Sequence, residues 1–403
     1  MHIRRCALLL IEPRELVAFS MDSLLSGGDG LSSSERLLAL APHRGEPVDV
    51  TTAEIAVLAA IPAGRWIPMA GVLECHTTEI VQKLLDAGLL LSDSDDPHGW
   101  RARDDQLQGM HWWAPAAISH YYSKWDNVSA VEGSREPGFR SMAELAHTLG
   151  APPSHVIERA RADQRMALPR LPRTDFDDLL DRRTTCRNFD QQRALSLDLL
   201  AQLMERTFAA RGQVQVREDT VVIKRSSPSG GGLHPIDCYV LVQNVADLAS
   251  GIYHYHPVAH ALEPLRLVDG AALRSMACSA LAGQDYWAEA HVQVVMVARF
   301  PRHFWKYRNH SKAYRVVVLD AGHLSQTLYL AATEAGLGAF VTGAINETGI
   351  EALLQLDPLE DGVLAVCGFG LRAAQRISPE FDPNGRVWPI LASSPDALSH
   401  AAT

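Results

Sequence analysis

The sequence predicts an α+β fold, and three observations support this prediction. Residues 238–242 and 292–298 are apolar runs made mainly of residue types that favour strands. Residues 324–336 place leucine and alanine on a broad face at helical spacing, which predicts a long, buried helix. A separate pattern of helices followed by a strand lies between residues 51 and 96. The chain therefore combines helices and strands in two regions.

The N-terminal pattern predicts a winged-helix-like domain. Residues 52–60, 69–73 and 77–87 predict helical elements, and Gly88 then leads into a short apolar strand. Thr77 is a suitable N-cap for the third of these elements.

The charge of this region argues against DNA binding. Residues 49–96 contain Arg65 and Lys83 against eight acidic side chains, whereas a DNA-reading face must be positive. Two functions remain open. The region could recognise a peptide by adding it as a strand beside its own sheet, or it could be a packing appendage that stabilises a dimer.

Residues 97–172 connect this region to the rest of the chain. They contain an aromatic cluster, which could line a substrate groove or pack in a core or an interface: Trp112, Trp113, Tyr121, Tyr122 and Trp125. Residues 131–137 predict a loop, and residues 169–173 predict a proline-containing linker. We therefore expect an N-terminal domain over residues 1–98, a helical and linker region over 99–172, and a third domain over 173–395.

A glycine-rich loop precedes the first predicted core strand. Pro228 and Ser229 are followed by three consecutive glycines, Gly230, Gly231 and Gly232. Backbone without Cβ atoms can adopt positive φ and approach a flat or phosphorylated ligand closely. The position suits a cofactor, and the alternative is a glycine-rich surface turn.

A basic segment follows the helix predicted over residues 175–183. Arg183, Thr185 and Arg187 alternate with other residues, so a loop could direct both charges and the hydroxyl at one anion. Arginine forks suit phosphate and the carbonyl edge of a heterocycle. The alternative is a solvated basic helix end.

A second basic segment follows the apolar run at 292–298. Lys306 and Tyr307 lie here among other cations and aromatic residues. They could belong to a solvated loop, or they could transfer protons, because lysine and tyrosine act as general acids or bases when their surroundings shift their pKa values.

The long helix and the strand after it complete the pattern. Asp320 is predicted as the N-cap of the helix and Gly336 as its C′ residue. The polar side chains His323 and Gln326 are predicted to satisfy backbone groups. Residues 338–345 predict a short strand.

Taken in this order, the four segments resemble the SagB-type dehydrogenase family. Its members are FMN-dependent oxidoreductases of the nitroreductase superfamily that act in the biosynthesis of ribosomally made, modified peptides. The match runs from Phe176 to Arg376, and the likeness is greatest to a subgroup of peptide maturation dehydrogenases. The glycine loop differs from the family's Pro-Ser-Ala-Gly-Gly-Leu-His-Pro only at Gly230, and the Asp-Ala-Gly-His sequence at residues 320–323 is typical of the family.

The resemblance implies a set of cofactor-binding residues. The arginine–threonine segment would hold the FMN phosphate and pyrimidine edge, with threonine in place of the family's serine. The glycine loop would lie along the isoalloxazine, residues 343 and 344 would pass near its reactive edge, and a C-terminal arginine would add to the phosphate site. The implied residues are Arg183, Thr185, Arg187, Pro228, Ser229, Gly230, Gly231, Gln326, Gly343, Ala344 and either Arg372 or Arg376.

The resemblance also implies a reaction. Lys306 and Tyr307 fall where azoline-oxidising members carry their catalytic pair. The leading hypothesis is oxidation of a thiazoline or oxazoline in a precursor peptide to a thiazole or oxazole, with one of the pair removing the Cα proton and the flavin accepting the Cβ hydride. Molecular oxygen or another acceptor would reoxidise the flavin.

Three other functions remain open. The same residues could support NAD(P)H-dependent reduction of dehydroamino acids in a peptide, with NAD(P)H as a transient co-substrate because no Gly-x-Gly-x-x-Gly follows a strand. The chain could instead be a small-molecule nitro or quinone reductase, or a non-catalytic flavoprotein scaffold that presents a peptide.

The architecture implied by the resemblance is a mixed, mainly antiparallel sheet wrapped by helices. FMN would lie at the interface of an intertwined homodimer. A cyclodehydratase or dehydratase would be a further partner.

Composition excludes several classes of protein. The net charge of −10 disfavours nonspecific binding to nucleic acid or anionic membranes. The apolar run at residues 6–11 is too short to span a membrane, and the charged residues Glu12 and Arg14 after it argue against a cleaved signal. Six cysteines without a Cys-x-x-Cys pair indicate neither a metal site nor a disulfide framework. We therefore expect a cytoplasmic protein.

Overall fold

The computed structural model describes residues 1–94, 96–133 and 141–389. Its strands are β1 (His2–Arg5), β2 (Leu10–Phe19), β3 (Leu31–Leu40), β4 (Val48–Val50), β5 (Ile67–Pro68), β6 (Leu90–Ser92), β7 (Gly212–Arg217), β8 (Thr220–Lys224), β9 (Ile236–Val242), β10 (Gly251–His256), β11 (Ala261–Leu267), β12 (Val292–Arg299), β13 (Gly338–Thr342) and β14 (Asp361–Gly370).

The helices are α1 (Met21–Leu25), α2 (Thr52–Ala60), α3 (Met69–Leu73), α4 (Thr78–Asp86), α5 (Trp100–Gly109), α6 (Ala114–Tyr122), α7 (Ala130–Gly133), α8 (Met142–Leu149), α9 (Asp175–Arg182), α10 (Leu197–Phe208), α11 (Gly270–Ala280), α12 (Asp285–Ala288), α13 (Phe300–Phe304), α14 (Ala313–Glu334) and α15 (Glu347–Leu354). Among the described residues, no helix is long and apolar enough to cross a membrane.

The chain divides into two compact units. The first comprises Met1–Lys124, Phe300–Arg315 and Asp357–Asp361, and the second comprises Trp125–Arg299, Val316–Leu356 and Gly362–Thr403. The domain boundaries expected from the sequence stay predictions, and residues 390–395 of the third expected domain lie outside the described residues.

The first unit contains the predicted succession of helices α2, α3 and α4 followed by strand β6. Thr51 caps α2 through a capping box with Glu54, and the Thr77 hydroxyl accepts the Ile80 N–H at the start of α4. Small three-stranded sheets with the orders β5-β1-β6 and β2-β3-β4 complete this part. The apolar faces of α2 and α4 pack with β1 and β6 in one core.

Part of the aromatic cluster of the sequence stays together, since the ring centroids of Trp112 and Tyr121 lie 5.8 Å apart. Trp112 is buried in the first unit, where its ring contacts those of Phe300 and Phe304. Trp113 is 40% exposed, and Trp125 belongs to the second unit. Trp112 is therefore a core residue.

The second unit is built on a six-stranded sheet with the order β11-β10-β9-β12-β14-β13. Strand β9 pairs antiparallel with both β10 and β12, and β13 pairs antiparallel with β14. Residues 292–298 of β12 are buried throughout, as expected for a central strand covered on both faces. The predicted α+β architecture, with a mainly antiparallel sheet and surrounding helices, is confirmed.

The long helix begins earlier than the sequence predicts. Helix α14 starts at Ala313, so Asp320 lies inside it and is not its N-cap. The predicted end is correct: Gly336 has φ +72°, its N–H donates to Thr333, and the Leu337 N–H donates to Ala332. These two bonds form a Schellman motif, which requires a positive φ at the C′ position.

Two further boundaries differ from the predictions. The loop predicted over residues 131–137 is wrong at its start, where α7 runs to Gly133, and residues 134–137 lie outside the described residues. Strand β13 ends at Thr342, three residues before the predicted end.

The six cysteines are free. Cys6, Cys186, Cys238 and Cys367 are buried, Cys278 is half-buried and Cys75 is exposed. Burial raises the pKa of the Cys6, Cys186 and Cys238 thiols to about 12.

Candidate functional site

The glycine loop is held by a buried carboxylate on helix α14. Asp320, which is 3% exposed, accepts the Ser229 hydroxyl at 2.5 Å and the Gly230 N–H at 3.2 Å. The Ser229 oxygen in turn accepts the His234 N–H at 2.9 Å. Burial raises the pKa of Asp320, while the bonds from Ser229 and Gly230 oppose that shift. The loop and the helix are thus joined through one carboxyl group.

A second contact between this loop and helix α14 lies two residues before Ser229. The buried Ser227 hydroxyl lies 2.7 Å from the Thr327 hydroxyl, on the same helix. Beyond it the backbone adopts the conformation that glycine permits, with φ of +64° at Gly231 and +69° at Gly232. The space where a Cβ would stand on Gly232 is open, so the exposed backbone there leaves room for a ligand.

The arginine–threonine segment is joined to the same helix by Tyr329. The Tyr329 hydroxyl lies 3.0 Å from the Thr185 hydroxyl and accepts the Val341 N–H at 3.1 Å. One residue further, the Cys186 N–H donates to the Ala339 carbonyl at 2.8 Å. These contacts close the outer edge of strand β13, which ends the sheet, and fix Thr185 beside that edge.

The two arginines of this segment differ in their surroundings. Arg183 is half-buried, with its guanidinium 5.3 Å from the centroid of the Tyr329 ring, and among the described residues it forms no ion pair. Arg187 donates to the Pro379 carbonyl at 3.0 Å and lies over the rings of Tyr286 and Trp287. Arg183 therefore offers a positive charge that forms no ion pair with a carboxylate of the described residues.

The two C-terminal arginines also differ. The Arg372 guanidinium donates to Glu380 at 3.0 Å and to the Thr184 hydroxyl at 2.8 Å. Arg376 is half-buried and, within the part of the chain that is described, forms no hydrogen bond or ion pair. Arg372 is thus held by Glu380 and Thr184. The guanidinium of Arg376 is available to bind an anion.

The other predicted cofactor residues are accessible to different extents. Gln326 is exposed on α14, as is His323, so neither is the packed structural side chain that the helical pattern alone would favour. Gly343 is exposed, with open space where a Cβ would stand, and the Ala344 carbonyl accepts the Gln284 side chain at 2.8 Å. Pro228 is exposed at the start of the glycine loop.

The predicted catalytic pair lies in the first unit. The Lys306 ammonium is 5.4 Å from the centroid of the Tyr307 ring. The ring of Tyr307 also lies 4.9 Å from that of His303, a residue with no solvent exposure. Burial lowers the pKa of His303 to about 4, so this imidazole is neutral at pH 7.

Helix α14 is the element that organises the second unit's site. Over ten residues, from Asp320 to Tyr329, it contacts the glycine loop, the arginine–threonine segment and strand β13. Analysis of the sequence missed the roles of both side chains. Asp320 matched an N-cap signal, and Tyr329 fell within an apolar helical pattern. Their partners lie 91 and 144 residues away, so no local pattern could reveal them.

The donor set of this site suits an organic anion with a flat ring. It combines an unpaired guanidinium, a hydroxyl and a glycine backbone with open space above it, which are groups that bind phosphate and allow close approach of a heterocycle. Across the described ranges, no group of His, Cys, Asp and Glu side chains could hold a metal ion.

Comparison with known proteins gives a family match for part of the chain. Residues 180–371 match the nitroreductase family. The chain is 28% identical over 172 residues to the trifolitoxin-processing protein TfxB of Rhizobium leguminosarum bv. trifolii, an alignment that covers 42% of this chain and 46% of that protein. It is 27% identical to the microcin B17-processing protein McbC of Escherichia coli, covering 45% of this chain and 65% of that protein. The chain thus spans about half the length of the first of these relatives and 65% of the second.

Solved structures include similar chains. The E. coli microcin synthetase McbBCD complex with truncated pro-MccB17 bound contains a chain that matches with a TM-score of 0.46 at 22% identity, covering 66% of this chain and 96% of that one.

Proposed function

We propose that the chain is an FMN-dependent oxidoreductase that acts on a ribosomally made precursor peptide, because residues 180–371 match the nitroreductase family. The proposed reaction is oxidation of a thiazoline or oxazoline to the thiazole or oxazole. The observation that carries the proposal is the convergence of the glycine loop, the arginine–threonine segment and strand β13 on helix α14. The peptide-processing relatives support the choice of substrate class.

The residues of the second unit fit FMN. Arg183, Thr185 and Arg187 would bind the phosphate and the pyrimidine edge, and Gly230 and Gly231 would lie along the ring system.

Of the two C-terminal arginines, we choose Arg376 as the additional phosphate ligand, because Glu380 already neutralises Arg372. The exposed backbone at Gly343 would border the reactive edge, with Ala344 beside it.

The protein's part in the reaction is proton transfer and orientation. FMN, when bound, supplies the hydride acceptor. Tyr307 as its phenolate, or Lys306 as its free amine, would accept the proton from the peptide Cα. The two side chains are neighbours, with the Lys306 nitrogen 5.4 Å from the centroid of the Tyr307 ring. The peptide loses one proton and one hydride equivalent, and molecular oxygen or another acceptor takes up the electrons.

We further propose that the first unit, with its winged-helix-like part, binds the precursor peptide. Strand β6 is an edge strand, and beside it lies a cavity of about 360 Å³ lined by α4 residues, by β6 and by the start of α5. Arg101 donates to the Ser92 and Ser94 carbonyls at this edge, and an extended peptide could replace those bonds with its own amides.

Binding of a labelled precursor peptide, followed by fluorescence anisotropy, should weaken in the Leu85→Asp variant, because Leu85 lines the cavity. It should not change in Glu79→Gln, on the same helix outside it.

We propose that the active form is a homodimer. The exposed face of α14 carries Val318 and Leu319, 47% and 59% exposed, followed by Gly322 and Gln326. Two neighbouring, exposed apolar side chains beside a glycine on a helix fit packing against a second copy. Light scattering should give a dimer mass for the wild type and a monomer mass for Leu319→Glu.

A spectrum tests the core of the proposal. The purified protein should show a visible flavin spectrum, and denaturation should release FMN. Slow oxygen consumption with an azoline peptide supports the dehydrogenase, whereas rapid anaerobic bleaching by NADPH favours reduction. A colourless protein that fails to bind added FMN would refute the proposal.

A further inference from the structure

The segment after the last strand folds back over the arginine–threonine segment. We call residues 372–388 the C-terminal strap. The Ala373 N–H donates to the Asn188 carbonyl at 2.9 Å, and the Asn188 side chain accepts the N–H groups of Ile377 and Ser378 at 2.8 and 2.7 Å. The Asn188 amide also donates to the Ser378 carbonyl at 2.8 Å. One asparagine thus pairs with a whole turn of the strap.

A buried carboxylate completes this contact. Glu380 has a side chain with no solvent exposure. Its Oε1 accepts the Arg187 N–H at 2.6 Å, the Asn188 N–H at 3.1 Å and the Asn188 side-chain amide at 2.8 Å. Its Oε2 accepts Arg372 at 3.0 Å and the Trp388 indole N–H at 2.7 Å. Both oxygens are saturated, and the charge is balanced by one guanidinium.

The hydrogen bonds of Glu380 hold the arginine–threonine segment as well as the strap. A buried carboxylate is tolerated only when it is paired and fully hydrogen-bonded. Three of the five donors belong to Arg187 and Asn188, so the carboxylate fixes the backbone from which the Arg187 side chain projects. The Arg187 guanidinium is held a second time by the Pro379 carbonyl of the strap. The position of this side chain therefore depends on the strap.

We infer that Glu380 is a positioning residue for the anion-binding segment, and that the C-terminal strap sets the affinity of the site for the phosphate of its cofactor. The inference rests on the proposed binding of FMN. Glu380 does not contact the ligand. It acts through the backbone from which the Arg187 side chain projects, and the inference assigns the Arg187 guanidinium to the phosphate rather than to the pyrimidine edge. Removal of the Glu380 carboxylate therefore weakens recognition of the phosphate more than recognition of the ring system.

The test compares FMN with riboflavin, which lacks the phosphate. Dissociation constants for both flavins are measured by fluorescence quenching on the wild type and on Glu380→Gln. The variant leaves donors of Arg187, Asn188, Arg372 or Trp388 without an acceptor, a loss that corresponds to about 5- to 100-fold in an equilibrium constant. We expect FMN affinity to fall by a factor in this range, while riboflavin affinity stays within about twofold.

A matched control separates positioning from general damage. Glu351 is another buried glutamate of the second unit, on α15, and Glu351→Gln should leave the ratio of FMN to riboflavin affinity unchanged. If Glu380→Gln does not fold, Trp388→Phe carries the test, because it removes a single donor to Glu380 and keeps an aromatic ring. A smaller fall in the same ratio is expected.

The outcomes distinguish this inference from the proposed function. A wild-type protein that binds neither flavin refutes the proposed function itself. A wild type that prefers FMN, together with a folded Glu380→Gln or Trp388→Phe that keeps the full preference, overturns the positioning role. A variant that loses both flavins equally also overturns it, because the strap would then support the fold rather than the phosphate site.

Discussion

Replacing Tyr329 by phenylalanine should loosen the edge of strand β13. The hydroxyl is the acceptor for the Val341 N–H and the partner of Thr185, and the ring is 6% exposed. An orphaned buried N–H costs about 1–3 kcal/mol, and the lost bond to Thr185 adds about 1 kcal/mol. We expect the free energy of unfolding of the second unit to fall by about 2–4 kcal/mol.

Hydrogen exchange gives the most direct assay. A loss of about 2 kcal/mol at the Val341 amide corresponds to roughly 30-fold faster exchange if that amide opens locally. A double-mutant cycle with Thr185→Val should give a coupling energy of about 0.5–1.5 kcal/mol, because the two hydroxyls share one bond.

A matched tyrosine supplies the control. Tyr253, on strand β10, is 4% exposed, and its hydroxyl donates to the Ala249 carbonyl at 2.7 Å. Tyr253→Phe should cost about 1 kcal/mol and leave both Val341 exchange and FMN affinity unchanged. Unchanged exchange in Tyr329→Phe, or zero coupling to Thr185, would refute the role assigned to this hydroxyl.

Three further predictions follow from contacts within single units. Gly368→Ala should destabilise the second unit by about 1–3 kcal/mol, measured by urea unfolding, because a Cβ there would overlap the buried ring of Phe340. His303, with its pKa lowered to about 4 by burial, contributes stability that is complete above about pH 6.5 and is lost as the pH falls towards 4. His303→Phe should therefore flatten the dependence of unfolding free energy on pH in that window. The Lys306→Ala/Tyr307→Phe variant should retain FMN and lose azole formation by at least about 100-fold, followed by mass spectrometry of the peptide.

For each of these predictions, a control or a specific outcome would contradict the reasoning. Gly349→Ala is the control for the glycine, since its Cβ would meet open space on α15, and equal losses in the two variants would contradict the steric argument. An unaltered pH dependence in His303→Phe would show that other groups govern acid sensitivity. Full azole formation by the double variant would support the non-catalytic scaffold.

Local patterns predicted those features whose partners lie nearby in the chain. The end of α14 at Gly336 and the cap at Thr77 depend on a few neighbouring residues, and both were predicted correctly. The positive φ at Gly231 also follows from residue type alone.

Features that depend on distant partners were not visible. Asp320 looks like an N-cap because aspartate favours that position, yet its carboxylate holds a loop 91 residues earlier, and the helix continues before it. Glu380 lies in a short polar stretch with no pattern, and its partner Arg187 is 193 residues away. Tertiary hydrogen bonds of this kind leave no periodic signal, so the supporting residues of the site emerged only from the structure.

Each unit contains at least one buried cysteine, so the reactivity of its buried thiols measures the opening of that unit. At neutral pH a thiol reagent should modify Cys75 quickly, because it is exposed, and should reach the buried thiols only when their surroundings open. Cys6 belongs to the first unit, whereas Cys186, Cys238 and Cys367 belong to the second. Timed alkylation read by peptide mass spectrometry would therefore yield two opening rates from one unmodified protein, without a bound flavin, a peptide or an introduced probe.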